Sequence, residues 1–257
     1  MSQVADSDSS TTSAASPFAR RVSRRRSSFF SPSPSPPAPN EREIRDFTTD
    51  HRHFSMIRNL HMADFITLLN CCCGFLSILS SVSYAASQRQ APYLIVRALY
   101  LVPLGLFFDF LDGRVARLRN KSSLMGQELD SLADLISFGV GPATAAFALG
   151  FDTTGDMVLL TIFVLCGLTR LARFNVTVAN IPKDAGGKSK YFEGTPIPTT
   201  LVLVGIMYYW HIQGWVHEQL PLGVVFEGHA LAFHPVVLLF LLSGSAMISK
   251  SLKVPKL

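Results

Sequence analysis

Six apolar segments, each close to the length of a bilayer crossing, dominate this chain of 257 residues; they run 63–87, 92–111, 126–149, 157–174, 196–215 and 231–248. A helix needs about 20 mostly apolar residues to span the hydrocarbon core. Backbone polar groups in lipid must be satisfied within the segment, so each segment is expected to be a helix. Only 16% of the residues are charged while 48% are hydrophobic, whereas soluble domains carry about 25% charge. Such a chain cannot cover itself in water, which excludes soluble enzymes, collagen-like chains and secreted disulfide scaffolds. Cys71, Cys72, Cys73 and Cys166 lie inside apolar runs and read as small buried hydrophobes rather than disulfide partners or zinc ligands. The expected fold is an all-α integral membrane protein of six transmembrane helices, preceded by an amphipathic interfacial helix, with both termini cytoplasmic.

The flanks divide the chain further. Residues 1–39 are rich in Ser, Pro and Arg and end in alternating prolines, a composition that buries little and reads as a disordered cytoplasmic tail. No apolar stretch follows the arginines, so the tail is not a secretory signal. Over 40–62, Asn40 suits an N-cap, and Ile44, Phe47, Phe54, Ile57 and Leu60 interleave with arginines, the pattern of a helix lying in the membrane interface. The six-helix domain is expected over 63–250 and a basic tail over 251–257. Basic residues mark the N-terminal tail, 114–121, 183–190 and the C-terminal end, whereas 88–91, 150–156 and 216–230 hold only Arg89 among Lys and Arg. Six spans put all four basic regions on one side, which the positive-inside rule makes cytoplasmic. Basic residues beside a membrane domain meet anionic membrane lipids, so no nucleic-acid partner is expected.

Four aspartates contradict this apolar background: Asp109 and Asp112 near the end of the second segment, Asp130 and Asp134 in the third. A carboxylate at the helix centre costs about 2.5–3.5 kcal/mol on the insertion scale, and carboxylates sharing a site repel. Spacings of three and four residues put each pair on one helix face. Gly113, Ala116 and Gly126 on the same faces leave room for a bulky ligand. Hard oxygen donors of this kind select Mg²⁺ or Mn²⁺. Two such ions about 3.5–4 Å apart form a clamp suited to displacement at phosphorus.

The same residues carry a resemblance. Asp109, Asp112, Gly113, Ala116, Arg117, Gly126, Asp130 and Asp134 fill every defining position of D-x2-D-G-x2-A-R-x8-G-x3-D-x3-D. This resembles the signature of the CDP-alcohol phosphatidyltransferase family. The resemblance implies a dimeric six-helix membrane enzyme that exchanges the CMP of a CDP-linked lipid for an alcohol. It implies Asp109, Asp112 and Asp130 as metal ligands and Asp134 as general base with a further metal contact. Gly113, Ala116, Arg117 and Gly126 would belong to the nucleotide pocket. The stretch from Asp64 through Thr67 and Asn70 to Gly74 resembles the family's first-helix pattern, which offers Thr67 and Asn70 to CDP-diacylglycerol. The alternative for those two is polar packing between helices.

Three further blocks, Ser137–Pro142, Leu171–Asn175 and Phe192–Pro198, resemble the CDP-diacylglycerol-dependent branch that uses L-serine. Within these blocks Asn175, Gly194 and Pro196 are expected around the acceptor, and Arg170 and Arg173, three apart at the cytoplasmic end of the fourth segment, offer one guanidinium for it. A guanidinium suits serine's carboxylate because it grips both oxygens, while snorkelling of Arg170 and Arg173 to lipid phosphates is the alternative. Inositol is the competing acceptor. From another class, a divalent-cation transporter also places carboxylates in a membrane, but it gives Gly113, Ala116 and Gly126 no purpose. The basic tail and the missing presequence point to the endoplasmic reticulum membrane of a eukaryote, with the active site facing the cytoplasm.

Overall fold

The computed structural model describes residues 60, 62–119, 124–180, 191–226, 229, 232–249 and 253–255. All of these fall in one unit, Phe47–Leu257. The expected tail over 1–39, the interfacial helix over 40–62 except its last residues, and the basic stretch 183–190 lie outside the described residues.

Helices occupy the places where the apolar segments were expected. They are α1 Met62–Ala86, α2 Pro92–Arg119, α3 Leu124–Asp134, α4 Gly141–Leu149, α5 Thr154–Asn180, α6 Leu201–Gln213 and α7 Leu238–Ile248. One turn of 3₁₀ helix, Ile197–Thr200, leads into α6, and another, Pro235–Val237, leads into α7. Between α3 and α4 the chain stays helical but widens into a π-helix over Leu135–Val140. Four helical stretches are long and apolar enough to cross a membrane: Met62–Ala86, Pro92–Ala116, Met125–Leu149 and Thr154–Val176. Local signals set several ends. Pro92, Pro142 and Pro235 stand at helix starts, where the missing N–H costs nothing. Gly214 ends α6 in the left-handed region, where a glycine carries no Cβ penalty.

α1 is the centre of the bundle. It packs antiparallel along α2 and also meets α3, the π segment and α4. Its inner face is small and polar: Asn70, Gly74, Ser77 and Ser81 follow one another at helical spacing and are buried. Small residues let backbones approach where lipid provides no hydrophobic drive between helices. Ser77 Oγ donates to the Ala98 carbonyl of α2 at 2.8 Å, and Ser137 Oγ of the π segment donates to the Asn70 carbonyl at 3.0 Å. α5 and α7 pack together behind this group, where Phe240 meets Phe163 edge-on at 5.4 Å and Phe151 at 6.2 Å. The outward faces keep large apolar residues exposed, among them Phe75, Leu79, Phe107 and Leu165, as lipid contact requires.

One detail departs from expectation. Cys166 and Cys73 are buried free thiols, but Cys72 faces outward and Cys71 is half-buried, because three consecutive residues of a helix cannot share one face. In addition to the expectation, part of the basic C-terminal stretch is a strand: β2, Lys253–Pro255, pairs antiparallel with β1, Tyr191–Glu193, setting Phe192 opposite Val254.

Candidate active site

The tight reversal between α1 and α2 places the N-terminal end of α1 beside the C-terminal end of α2. This reversal uses positive φ angles at Gln88 and Arg89. Asp112 thus meets Thr67, and α3 brings Asp130 and Asp134 to the same place, Asp134 facing Asn70. One carboxylate oxygen from each of Asp109, Asp112 and Asp130 lies within 4.8 Å of the others. The side chain of Asp109 also reaches hydrogen-bond contact with Asp130 and Asp134. Carboxylates this close repel unless a proton or cation stands between them. The residues fit a hard divalent cation: the donors are all oxygens, and Asp130 Oδ1 is buried with no hydrogen-bond partner.

The surrounding groups fix the carboxylates. Thr67 Oγ1 donates to Asp112 Oδ2 at 2.6 Å, and Asn70 Nδ2 lies 3.4 Å from Asp134 Oδ1. Asn70 is fully buried, and Asp134 is 9% exposed. Gly105 of α2 makes room for Asn70, since a Cβ there would stand 2.8 Å from Asn70 Oδ1. Thr67 and Asn70, expected from resemblance at the nucleotide lipid, touch the aspartates in the ligand-free chain. Gly113 and Ala116 in the last turns of α2, and Gly126 in the first turn of α3, are half-buried. The Arg117 side chain lies outside the described residues.

The residues expected around the acceptor lie in different surroundings. Arg170 of α5 lies within electrostatic reach of Asp134 and packs over the Phe174 ring at 5.6 Å. Arg173 Nη1 donates to the Ile248 carbonyl at the end of α7, 3.2 Å away. Gly194, at φ +78°, fits directly against the Met247 carbonyl, and Thr195 N donates to the Ala246 carbonyl at 3.3 Å. Pro196 is exposed. Asn175 links α5 to α3: Ser131 Oγ donates to its Oδ1 at 3.0 Å, and its Nδ2 donates to Glu128 Oε2 at 3.2 Å. Glu128 and Ser131 were not foreseen. They recur at three-residue intervals with Asp134, which puts them along one side of α3.

Similarity to known proteins covers the same residues. The model of the CDP-alcohol phosphatidyltransferase family matches residues 60–236. A CDP-diacylglycerol–serine O-phosphatidyltransferase of Saccharomyces cerevisiae is 58% identical over 237 residues, covering 91% of this chain and 85% of that protein. An archaetidylserine synthase of Methanothermobacter thermautotrophicus is 36% identical over 150 residues, 57% of each chain. A CDP-diacylglycerol–serine O-phosphatidyltransferase of Bacillus subtilis is 36% identical over 149 residues, 56% of this chain and 74% of that one. The family match takes in the four aspartates and every helix that positions them; this chain belongs to the CDP-alcohol phosphatidyltransferase family.

Proposed function

We propose that this chain transfers the phosphatidyl group of CDP-diacylglycerol to the hydroxyl of L-serine, giving phosphatidylserine and CMP. The observation that carries the chemistry is the convergence of Asp109, Asp112 and Asp130 oxygens within 4.8 Å. The yeast relative's similarity over most of the chain supports serine as the acceptor. Asp109, Asp112, Asp130 and an oxygen of Asp134 would hold Mn²⁺ or Mg²⁺, two ions in the proposed site. A divalent cation bound there neutralises the pyrophosphate and the charge that builds on departing CMP. Thr67 holds Asp112 in its ligating orientation, and Asn70 orients Asp134. Asp134 takes the proton of serine's hydroxyl as that oxygen bonds to the β-phosphorus and the bond to CMP breaks. Arg170, beside Asp134, is placed to receive serine's carboxylate. Gly113, Ala116, Arg117 and Gly126 leave space for the nucleotide. Arg173, Asn175, Gly194 and Pro196 shape the acceptor side from behind, through α7 and α3.

The proposal extends to the whole chain. Six spans over 63–250 keep both termini cytoplasmic, with the tail 1–39 and an interfacial helix over 40–62 before them and a basic tail over 251–257. The protein works as a homodimer in the endoplasmic reticulum membrane, with the aspartates toward the cytoplasm. The deciding experiment gives purified protein CDP-diacylglycerol with either L-serine or inositol and follows CMP release, with Mn²⁺ and with chelator. Serine-dependent release that needs the metal is expected. Release with inositol but not serine would overturn the acceptor, and release in excess chelator would overturn the metal site. Metal flux into liposomes without any CDP-lipid would instead favour a transporter.

A further inference from the structure

Arg97 stands inside the membrane-spanning length of α2, yet its side chain is exposed on the outer face of the bundle. It is not free to swing. Its Nε donates to Ser80 Oγ of α1 at 2.9 Å. Ser80 is buried and gives its own proton to the Leu76 carbonyl at 2.6 Å, so a lone pair of that hydroxyl faces the guanidinium. The bond uses only Nε, so the end-on pair of Nη N–H donors remains for another acceptor. No carboxylate among the described residues pairs with Arg97. Two of the described carboxylates face basic side chains elsewhere, Asp152 at Arg89 and Asp156 at His234.

The position sets the kind of ligand. Arg97 is five residues into α2, about 7.5 Å along its axis, within reach of headgroups for a side chain that snorkels. Tyr93 and Tyr100 lie on the same face, 66% and 58% exposed, and tyrosines of this kind mark the membrane interface. Leu76 and Leu79, which precede Ser80 on α1, also expose apolar surface. Asp109 is twelve residues further along α2, roughly 18 Å away, so Arg97 belongs to the opposite leaflet from the aspartates.

We propose that Arg97, held by Ser80, binds the phosphate of an anionic phospholipid in the leaflet opposite the aspartate cluster. Charge complementarity selects that occupant. The planar Nη fork matches two phosphate oxygens, and a lipid without a headgroup cation leaves the net charge that an unpaired guanidinium in a membrane requires.

The test uses the full-length protein in neutral detergent, titrated with dioleoyl-phosphatidylglycerol or dioleoyl-phosphatidylcholine. It is read by native mass spectrometry and by the lipid-induced rise in Tm. The protein should hold the anionic lipid roughly tenfold more tightly than the zwitterionic one, the size expected for one charge-assisted fork. Arg97→Gln should abolish that preference. Ser80→Ala should reduce it, and Arg97→Lys should keep a part, the charge without the fork. Asp109→Asn should leave it unchanged. Each readout compares two lipids on one variant, so a less stable variant still reports. A preference that survives Arg97→Gln would overturn the site. So would one that disappears with Asp109→Asn, which would put the lipid in the aspartate site. An Arg97→Gln variant that turns a dimer into a monomer without any change in lipid preference would assign the arginine to a second copy of the chain instead.

Discussion

Among single residues, the roles proposed for Asp134 and Arg170 separate chemistry from binding. Asp134 is nearly buried, with Asn70 Nδ2 3.4 Å from its Oδ1, which limits the orientations open to the proposed base. Asp134→Asn should lower kcat by at least about a hundredfold, the lower range for loss of a general base. Retention of CDP-diacylglycerol, read by equilibrium binding, should change little; turnover near the wild-type rate would place the base elsewhere. Arg170 and Arg173 are three residues apart and within reach of each other's charge, but their neighbours differ: Arg170 is near Asp134, whereas Arg173 donates to the α7 carbonyl of Ile248. Arg170→Lys should therefore raise the serine KM several-fold with little effect on the KM for CDP-diacylglycerol, since lysine cannot grip a carboxylate with two parallel bonds. Steady-state kinetics with each substrate varied in turn checks this, and equal rises in both KM values would remove Arg170 from the acceptor.

At the scale of elements, the contact between α1 and the π segment is a tight joint beside the aspartates. A Cβ added to Gly74 would meet Ser137 Oγ and would stand 2.7 Å from Ser137 Cα. A backbone atom cannot move aside as a side-chain tip can, so Gly74→Ala must push α1 away from the segment that follows Asp134. Overpacking of this kind costs typically about 1–3 kcal/mol. The variant should unfold at lower temperature and lose activity although it touches no aspartate. Unchanged Tm and rate would mean that the joint is looser than its geometry. A π-helix directly after Asp134 is consistent with the preference of such turns for functional sites. The widened turn re-phases the span, so that α3 shows its aspartates to α1 and α2 while α4 buries Ala145, Ala146 and Ala148.

On the scale of the whole molecule, the end opposite the aspartates closes through the loop after α6. His217 stacks on Tyr84 at 6.4 Å, holds a positive φ of 57°, and buries both ring nitrogens without a partner. Burial, with the nearby Arg89 charge adding and Asp152 opposing, pushes its imidazole from an ordinary 6.5 down to about 4. Between those two values the unfolded chain binds the proton and the folded chain does not, so His217 favours the fold fully above pH 6.5 and loses that contribution as pH falls toward 4. The Tm should therefore fall on acidification through this window. His217→Asn, which tolerates the positive φ, should show a shallower fall; parallel curves would mean that His217 does not carry the effect. The aspartate site was legible in the sequence because its parts are local: spacings of three and four on a helix put carboxylates on one face whatever the surroundings, and apolar length alone demands helices in a membrane. The partners of those aspartates were not legible. Thr67 and Asp112 are 45 residues apart and Asn70 and Asp134 are 64 apart, and no periodicity reports which faces of separate helices will meet. Spacing also paired Arg170 with Arg173 and gave no sign of the π turn or of Ser80 beneath Arg97. Helix packing decided those, because it is governed by where small residues allow two backbones to close.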